Sequence, residues 1–240
     1  MLIAPRAGLI LKPIEPLSLY GSYSLSYLPR AGEQLGSLTI TNHALDPERF
    51  RNYEVGAKWD VTPALALTAA VYRLLRENVA VPDPVDPTRS ILVDAQQTQG
   101  LEVGFNGTVA RSWIMAGGYA YQDGEITQSI STTAQAGAVL AQLPRHSLSL
   151  WNKYDLTTRV GAALGIIYRG EVFTSTDNLV RLPGYTRIDA GVFVKLTARV
   201  RAQLNVENLS NRRYYAAAHN NYNITPGSPR SLRFAVTTRF

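Results

Sequence analysis

Apolar and polar residues alternate with period two along most of the chain, and helical spacing is nearly absent. In the stretch from Asn52 to Val61, Tyr53, Val55, Ala57, Trp59 and Val61 fall on one face and Glu54, Gly56, Lys58 and Asp60 on the other. Further on, Ile188, Ala190, Val192, Val194 and Leu196 oppose Tyr185, Arg187, Asp189 and Lys195. Val200, Ala202, Leu204 and Val206 oppose Arg201, Gln203, Asn205 and Glu207 in the same way. Near the start, Leu17, Leu19, Tyr23, Leu25 and Tyr27 oppose Ser18, Tyr20, Ser22, Ser24 and Ser26. About eleven such segments recur, predicting strands of roughly ten to fourteen residues, longer than the five or six usual in globular sheets. The alternation continues to the last residue: Leu232, Phe234, Val236, Thr238 and Phe240 share a face, opposite Ser231, Arg233, Ala235, Thr237 and Arg239.

The connections alternate in length. Short turns are predicted near Pro13–Pro16, Thr62–Ala64, Ala110–Ser112, Thr157–Arg159 and Thr197–Arg199. Long polar links are predicted at Pro29–Arg49, Pro82–Ser90, Gln128–Leu143, Thr174–Pro183 and Ala218–Ser228. Short turns at one end and long loops at the other describe an all-β outer-membrane barrel with periplasmic turns and extracellular loops. A soluble sandwich or propeller has no reason to gather all its long loops at one end. Alternation alone does not say which face meets lipid. Aromatic placement does: Trp59 and Trp113 fall beside short turns, and Tyr27, Tyr121 and Tyr168 lie toward the long loops, as two interfacial girdles would. The apolar face, including Leu101, Val103, Phe105, Val200, Leu204 and Val206, is therefore expected on the lipid side.

Composition excludes several classes. The 240 residues include no cysteine, so neither disulfides nor thiolate metal sites are available. His43, His146 and His219 lack ligand spacing. The net charge is +6, but the cations are scattered singly apart from Arg212-Arg213, which is not the footprint of a nucleic-acid-binding protein. No stretch approaches the ~20 apolar residues of a spanning helix, and the opening MLIAPRAGLILKPIEP lacks the regions of a signal peptide. Nucleophile elbows, zinc-protease pairs and phosphate loops are absent. His146 and Ser147 are adjacent in a strand and point to opposite faces, so they cannot act as a nucleophile–base couple. No enzymatic activity and no bound metal are expected.

Five segments carry a resemblance. DPERFRNYEVGAKWD (46–60), QTQGLEVGFNG (97–107), LPRHSLSLWNKYDL (143–156), LNVENLSNRRYY (204–215) and GSPRSLRFAVTTRF (227–240) resemble, in order, barrel strands of TonB-dependent outer-membrane receptors of the ferric-siderophore branch. A strand ending on phenylalanine is similar to the signal read by the barrel-assembly machinery, carried here by Phe234, Val236 and Phe240. The chain departs from that family in having no signal peptide, TonB box or plug domain, and about half of the roughly 22 strands of such transporters. The first strand, expected at Ile3–Lys12, and the last both descend toward the periplasm, so closing eleven strands would force a parallel seam, against the even antiparallel counts of bacterial barrels. Residues 1–240 are accordingly expected to be one partial domain, the C-terminal barrel half of a receptor, not competent to transport alone.

The resemblance implies a ferric siderophore as ligand, outer-membrane lipid as surroundings, and the TonB complex as a partner reached through a plug outside this chain. No protein cofactor is implied, because the iron arrives already chelated. Chelates of the catecholate kind are bulky anions, which arginine and tyrosine suit. The expected extracellular vestibule comprises Arg30, Tyr72, Arg76, Arg89, Tyr121, Arg169, Arg181, Arg212, Arg213, Tyr215 and Tyr222. Glu54, Lys58, Glu102, Asp189, Lys195 and Glu207 are expected to be structural charges of the inner wall, and Asn205, Asn208 and Asn211 to shape the last hairpin. The rival reading is a passive pore or adhesin-like barrel without TonB coupling.

Overall fold

A computed structural model describes residues 2–29, 45–82, 85 and 90–239. The strands are β1 (Arg6–Ile14), β2 (Leu17–Leu28), β3 (Glu48–Thr62), β4 (Leu65–Glu77), β5 (Val79–Pro82), β6 (Ser90–Val93), β7 (Gln96–Ala110), β8 (Trp113–Ile126), β9 (His146–Asp155), β10 (Val160–Arg169), β11 (Val172–Phe173), β12 (Arg181–Leu182), β13 (Tyr185–Lys195), β14 (Val200–Glu207), β15 (Tyr215–Ala218), β16 (Ile224–Pro226) and β17 (Ser231–Thr238). Eleven of these form one sheet in the order β1-β2-β3-β4-β7-β8-β9-β10-β13-β14-β17, with every neighbouring pair antiparallel. The period-two alternation is thus one continuous meander, and no helix occurs among the described residues.

Two details differ from expectation. The first strand lies two to three residues later, at Arg6–Ile14. Three of the long links carry hairpins of their own, β5–β6, β11–β12 and β15–β16, whose strands of two to four residues are too short to show a period. The short turns are held locally by threonine. The Thr157 hydroxyl accepts the Arg159 and Val160 amides at 3.1 and 2.9 Å, and Thr197 does the same for Arg199 and Val200 at 3.2 and 3.0 Å. Gly107, at φ 150, lies where a Cβ would run into the Ala64 carbonyl at the β3–β4 turn, so the close crossing there requires glycine.

Register settles the two faces. Val55 pairs with Val71, Val71 with Leu101 and Leu101 with Tyr121. Val192 pairs with Leu204 and Leu204 with Phe234. All of these are exposed, Val55 by 62%, Val71 by 53% and Phe234 by 68%. The same face carries Trp59 and Trp113 at the short-turn end and Tyr27, Tyr121 and Tyr168 toward the long loops. The opposite face is polar, with Tyr20, Glu54, Tyr72, Glu102, Ser147, Arg187 and Asp189.

A sheet whose apolar side is exposed has no interior core. Buried apolar residues instead form small clusters under the long links, chiefly Val79, Val81 and Ala95 with Val93 and Ile130 packed on them. Total accessible surface is 15621 Å², against roughly 10,600 Å² expected for a compact globular chain of this mass. The sheet is therefore a single-layer wall. Its edges, β1 and β17, run in the same direction, because they are the first and eleventh of an antiparallel series.

Candidate ligand-binding site

The polar face is ordered by cross-strand contacts. Tyr20 on β2 donates its hydroxyl to Glu54 on β3 at 2.6 Å, and Tyr72 on β4 donates to Gln122 on β8 at 3.2 Å. The Tyr20, Tyr72 and Trp151 rings lie over Gly56, Gly100 and Gly165 of adjacent strands, where any Cβ would collide with them. The glycines of the 46–60 and 97–107 segments thus leave room for rings on the inner wall. Glu54 accepts from Tyr20 and Asp189 from Arg187 at 2.8 Å, while Glu207 pairs across to Arg233 at 3.3 Å and Lys58 to Asp60 at 3.7 Å. These inner charges have structural partners, as expected. For Glu102 and Lys195 the structure gives a place on the same face.

At the long-loop end, β13, β14 and β17 meet around Asn208, which is 1% exposed and adopts φ 53. Its Nδ2 donates to the carbonyls of Arg212 and Ser228 at 2.9 and 3.0 Å, and its Oδ1 accepts the Arg212 amide at 2.8 Å. Its own amide donates to Asp189 Oδ1 at 2.8 Å, while Asp189 Oδ2 takes Arg187. Asn211, at φ 51, accepts the Arg230 amide at 2.9 Å. Asparagine tolerates this backbone and supplies both donor and acceptor, which is why it recurs here. Asn205 accepts from Gln203 at 3.0 Å. Asn208 and Asn211 shape the last hairpin, whereas the Asn205 bond stays within β14.

This knot presents a recess of about 530 Å³ lined by Tyr185, Arg212, Arg213, Tyr214, Tyr215 and Gly227, with prolines around them. The Tyr185 and Tyr214 rings meet at 4.3 Å, and Arg187 Nη1 donates to the Tyr214 hydroxyl at 3.3 Å. Gly227 packs against the Tyr214 ring so closely that a Cβ there would overlap it. Gly227→Ala is therefore expected to displace that ring, at a cost of about 1–3 kcal/mol for overpacking, read as a lowered urea midpoint of the folded barrel; an unchanged midpoint would show that the ring moves freely.

The residues expected to form a vestibule divide into groups. Arg212, Arg213 and Tyr215 come together in the recess. Arg169 stands beside it at the end of β10, its Nη1 donating to the Ala216 carbonyl at 2.5 Å and its Nη2 to Gln142 at 3.3 Å. Arg181 is exposed on β12, paired with Glu171 at 2.7 Å and 5.0 Å over the Phe173 ring. Tyr222 is 96% exposed at the tip between β15 and β16. Tyr72 and Arg76 lie on the polar face but are engaged: Arg76 holds the buried Glu48 at 2.6 Å and lies 5.8 Å over Phe50. Tyr121 is a correction. It pairs with Leu101 and His146 on the apolar face, so it belongs to the girdle and not to the vestibule. Arg30, Arg89 and Phe240 lie outside the described residues, as does His43.

Tyr185, Arg187 and Tyr214 were missed as candidates. Inward parity and closeness to a long link mark Tyr185 and Arg187, and Tyr214 stands in the LNVENLSNRRYY segment itself. The links above the recess are tied to one another. Gln142 donates to the Phe173 and Thr174 carbonyls and accepts the Ala218 amide, Asn178 bonds both polar atoms of Val139, and Asn221 reaches Thr174 and Asp177. Among the described residues no three His, Cys, Asp or Glu side chains gather as a metal site would require.

An antiparallel meander with an exposed apolar face, aromatic girdles at two heights and a polar opposite face is the wall of a transmembrane β-barrel. Residues 2–209 match the family described as TonB dependent receptor-like, beta-barrel, and the chain belongs to that family. It is 31% identical to the siderophore receptor PiuA of Acinetobacter baumannii, over 98% of this chain and 33% of PiuA. The crystal structure of PiuA superposes with a TM-score of 0.88 at 29% identity, covering 98% of this chain and 35% of that one. The metal-pseudopaline receptor CntO of Pseudomonas aeruginosa is 31% identical, over 98% of this chain and 33% of CntO. The closed form of the ferric-catecholate import receptor Fiu of Escherichia coli K12 superposes with a TM-score of 0.89 at 26% identity, over 100% of this chain and 35% of that one. The chain spans about a third of the length of these relatives.

Proposed function

We propose that this chain is the C-terminal part of the barrel of a TonB-dependent receptor that imports a ferric siderophore across the outer membrane of a Gram-negative bacterium. The short-turn end then faces the periplasm and the long-loop end the exterior. The observation that carries the reading is the recess at the long-loop end, where Arg212 and Arg213 stand beside Tyr185, Tyr214 and Tyr215. Paired guanidiniums and flat rings suit a bulky anionic chelate that brings its iron fully coordinated. Residues 1–240 supply one wall; the rest of the barrel and the plug through which the TonB complex acts belong to sequence outside this chain. Outer-membrane lipid surrounds the apolar face, and the barrel-assembly machinery reads the strand that carries Phe234, Val236 and Phe240. The iron needs no ligand from the protein and the function involves no catalysis.

The test uses the full receptor. Arg212→Gln with Arg213→Gln should weaken binding of a ferric tris-catecholate by about tenfold or more, since each charge-assisted hydrogen bond accounts for roughly that factor. The folded amount, read from heat-modifiable gel mobility, should stay level. Uptake of radiolabelled chelate should vanish when TonB is deleted. Uptake indifferent to TonB would replace the reading with the passive pore.

A further inference from the structure

Gln142, in the link between β8 and β9, adopts φ 59. Among the described residues the other non-glycine positions with positive φ are all asparagine, whose short side chain supports that backbone locally. Glutamine lacks this help, so its conformation persists only where the surroundings impose it. Here they do so through all four of its polar atoms. The Gln142 amide donates to the Phe173 carbonyl at 2.9 Å, and its own carbonyl accepts from Arg169 Nη2 at 3.3 Å. Its Nε2 donates to the Phe173 and Thr174 carbonyls, each at 3.4 Å, and its Oε1 accepts the Ala218 amide at 3.3 Å.

The partners stand on different links. Phe173 and Thr174 belong to the link between β10 and β13, and Ala218 to the link between β14 and β17. One side chain therefore joins three links that are remote in sequence. Arg169 adds a strut from the end of β10, bonding the Ala216 and Gln142 carbonyls together. Two of the joined links build the recess. Pro183, Gly184 and Tyr185 line one side of it, and Arg212 to Tyr215 line the other. Tyr215 opens β15 and Ala218 ends it. The anchors at Ala216 and Ala218 thus lie within a few residues of Arg213 on one short strand, and they fix where that strand runs.

We infer that Gln142 is a positioning residue for the recess: it joins the three links into one cap and, with Arg169, sets where Arg212, Arg213 and Tyr215 stand. Gln142 does not line the recess, so it acts through those residues. The inference deepens the receptor reading above and rests on it only for what fills the recess. Independent links would let each side of the recess move alone. A joined cap holds the guanidiniums and rings at a fixed spacing before any chelate arrives, so less ordering remains to be done on binding.

The full receptor and its Gln142→Ala variant are compared first without ligand, by hydrogen–deuterium exchange of the peptide covering residues 215–221. Alanine meets the same backbone demand and removes only the side chain, so the folded amount, read from heat-modifiable mobility, should stay level. Exchange in that peptide should rise at least about tenfold as the Ala218 amide loses its acceptor. Gln142→Glu still accepts that amide and should exchange more slowly than the alanine variant. Leu179→Ala, which trims an 80% exposed side chain on a joined link, should change nothing. Wild-type exchange in Gln142→Ala would overturn the cap. Titration with a ferric tris-catecholate then tests positioning. Gln142→Ala should weaken binding about tenfold, yet add less than about twofold once Arg212→Gln and Arg213→Gln are present, because it acts through them. Equal losses in both backgrounds would overturn the positioning role. If wild type binds no chelate while the exchange result holds, the cap stands and the ferric-siderophore reading falls.

Discussion

Val55→Arg should destabilise the folded barrel in membranes by about 2–4 kcal/mol, the cost of an arginine facing lipid near the bilayer midplane. Val55 sits on β3 between Trp59 and Arg51, four residues from each, and is 62% exposed. In water, an arginine at so open a position would cost almost nothing. The membrane makes the difference, since no water is there to solvate the charge. The matched control is Ser22→Arg on β2, directly opposite Glu54 on the polar face, which should cost less than about 1 kcal/mol as a cross-strand ion pair. Both variants are built in the full receptor and compared by urea titration in lipid vesicles, with gel mobility reporting the folded fraction. If Ser22→Arg proved the more damaging, the two faces would be the reverse of what register indicates.

Much of this architecture was legible before any coordinates because the barrel wall is the simplest case of period two. Each strand has one lipid side and one wet side, so every residue from Tyr53 to Trp59 reports its own orientation. Turn lengths then order the strands without long-range information. What escaped were features with no period. Strands such as β11 (Val172–Phe173) are two residues long and exist only because a loop folds on itself. Tyr121 was assigned both to the girdle and to the vestibule, and its pairing with Leu101 keeps only the first. Arg76 looked like a free vestibule cation because its carboxylate, Glu48, is 28 residues distant. The Arg49 and Arg51 guanidiniums were legible only as charges; that they share one oxygen of Glu77 is a fact of packing. The family segments resolve in the same terms. Gly56 and Gly100 clear space for Tyr20 and Tyr72, Asn208 and Asn211 close the last hairpin, and Gly227 seats Tyr214.

The Asn208 knot carries the other large expectation. Asn208→Ala removes a side chain that is 1% exposed and satisfies three backbone groups: the Arg212 amide, the Arg212 carbonyl and the Ser228 carbonyl. Each group left unmet away from water costs about 1–3 kcal/mol. Alanine must also adopt φ 53, which adds about 1–2 kcal/mol. A total of roughly 3 kcal/mol or more should sharply reduce the folded receptor in the outer membrane. Asn208→Gly keeps the backbone free and should be milder by about 1 kcal/mol, isolating the conformational part. Asn208→Asp can still accept the Arg212 amide but cannot donate, so it should fall between wild type and alanine. The knot also sets the path of the chain through Arg212 and Arg213, so whatever Asn208→Ala receptor does fold should bind a ferric tris-catecholate more weakly as well. That separates it from the Arg212→Gln, Arg213→Gln pair, which should weaken binding while leaving the folded amount level. Folded amounts come from heat-modifiable mobility and affinities from titration of the purified folded fraction. If Asn208→Ala receptor accumulated at wild-type levels with wild-type affinity, the hydrogen bonds converging on this one side chain would not be what holds β13, β14 and β17 together.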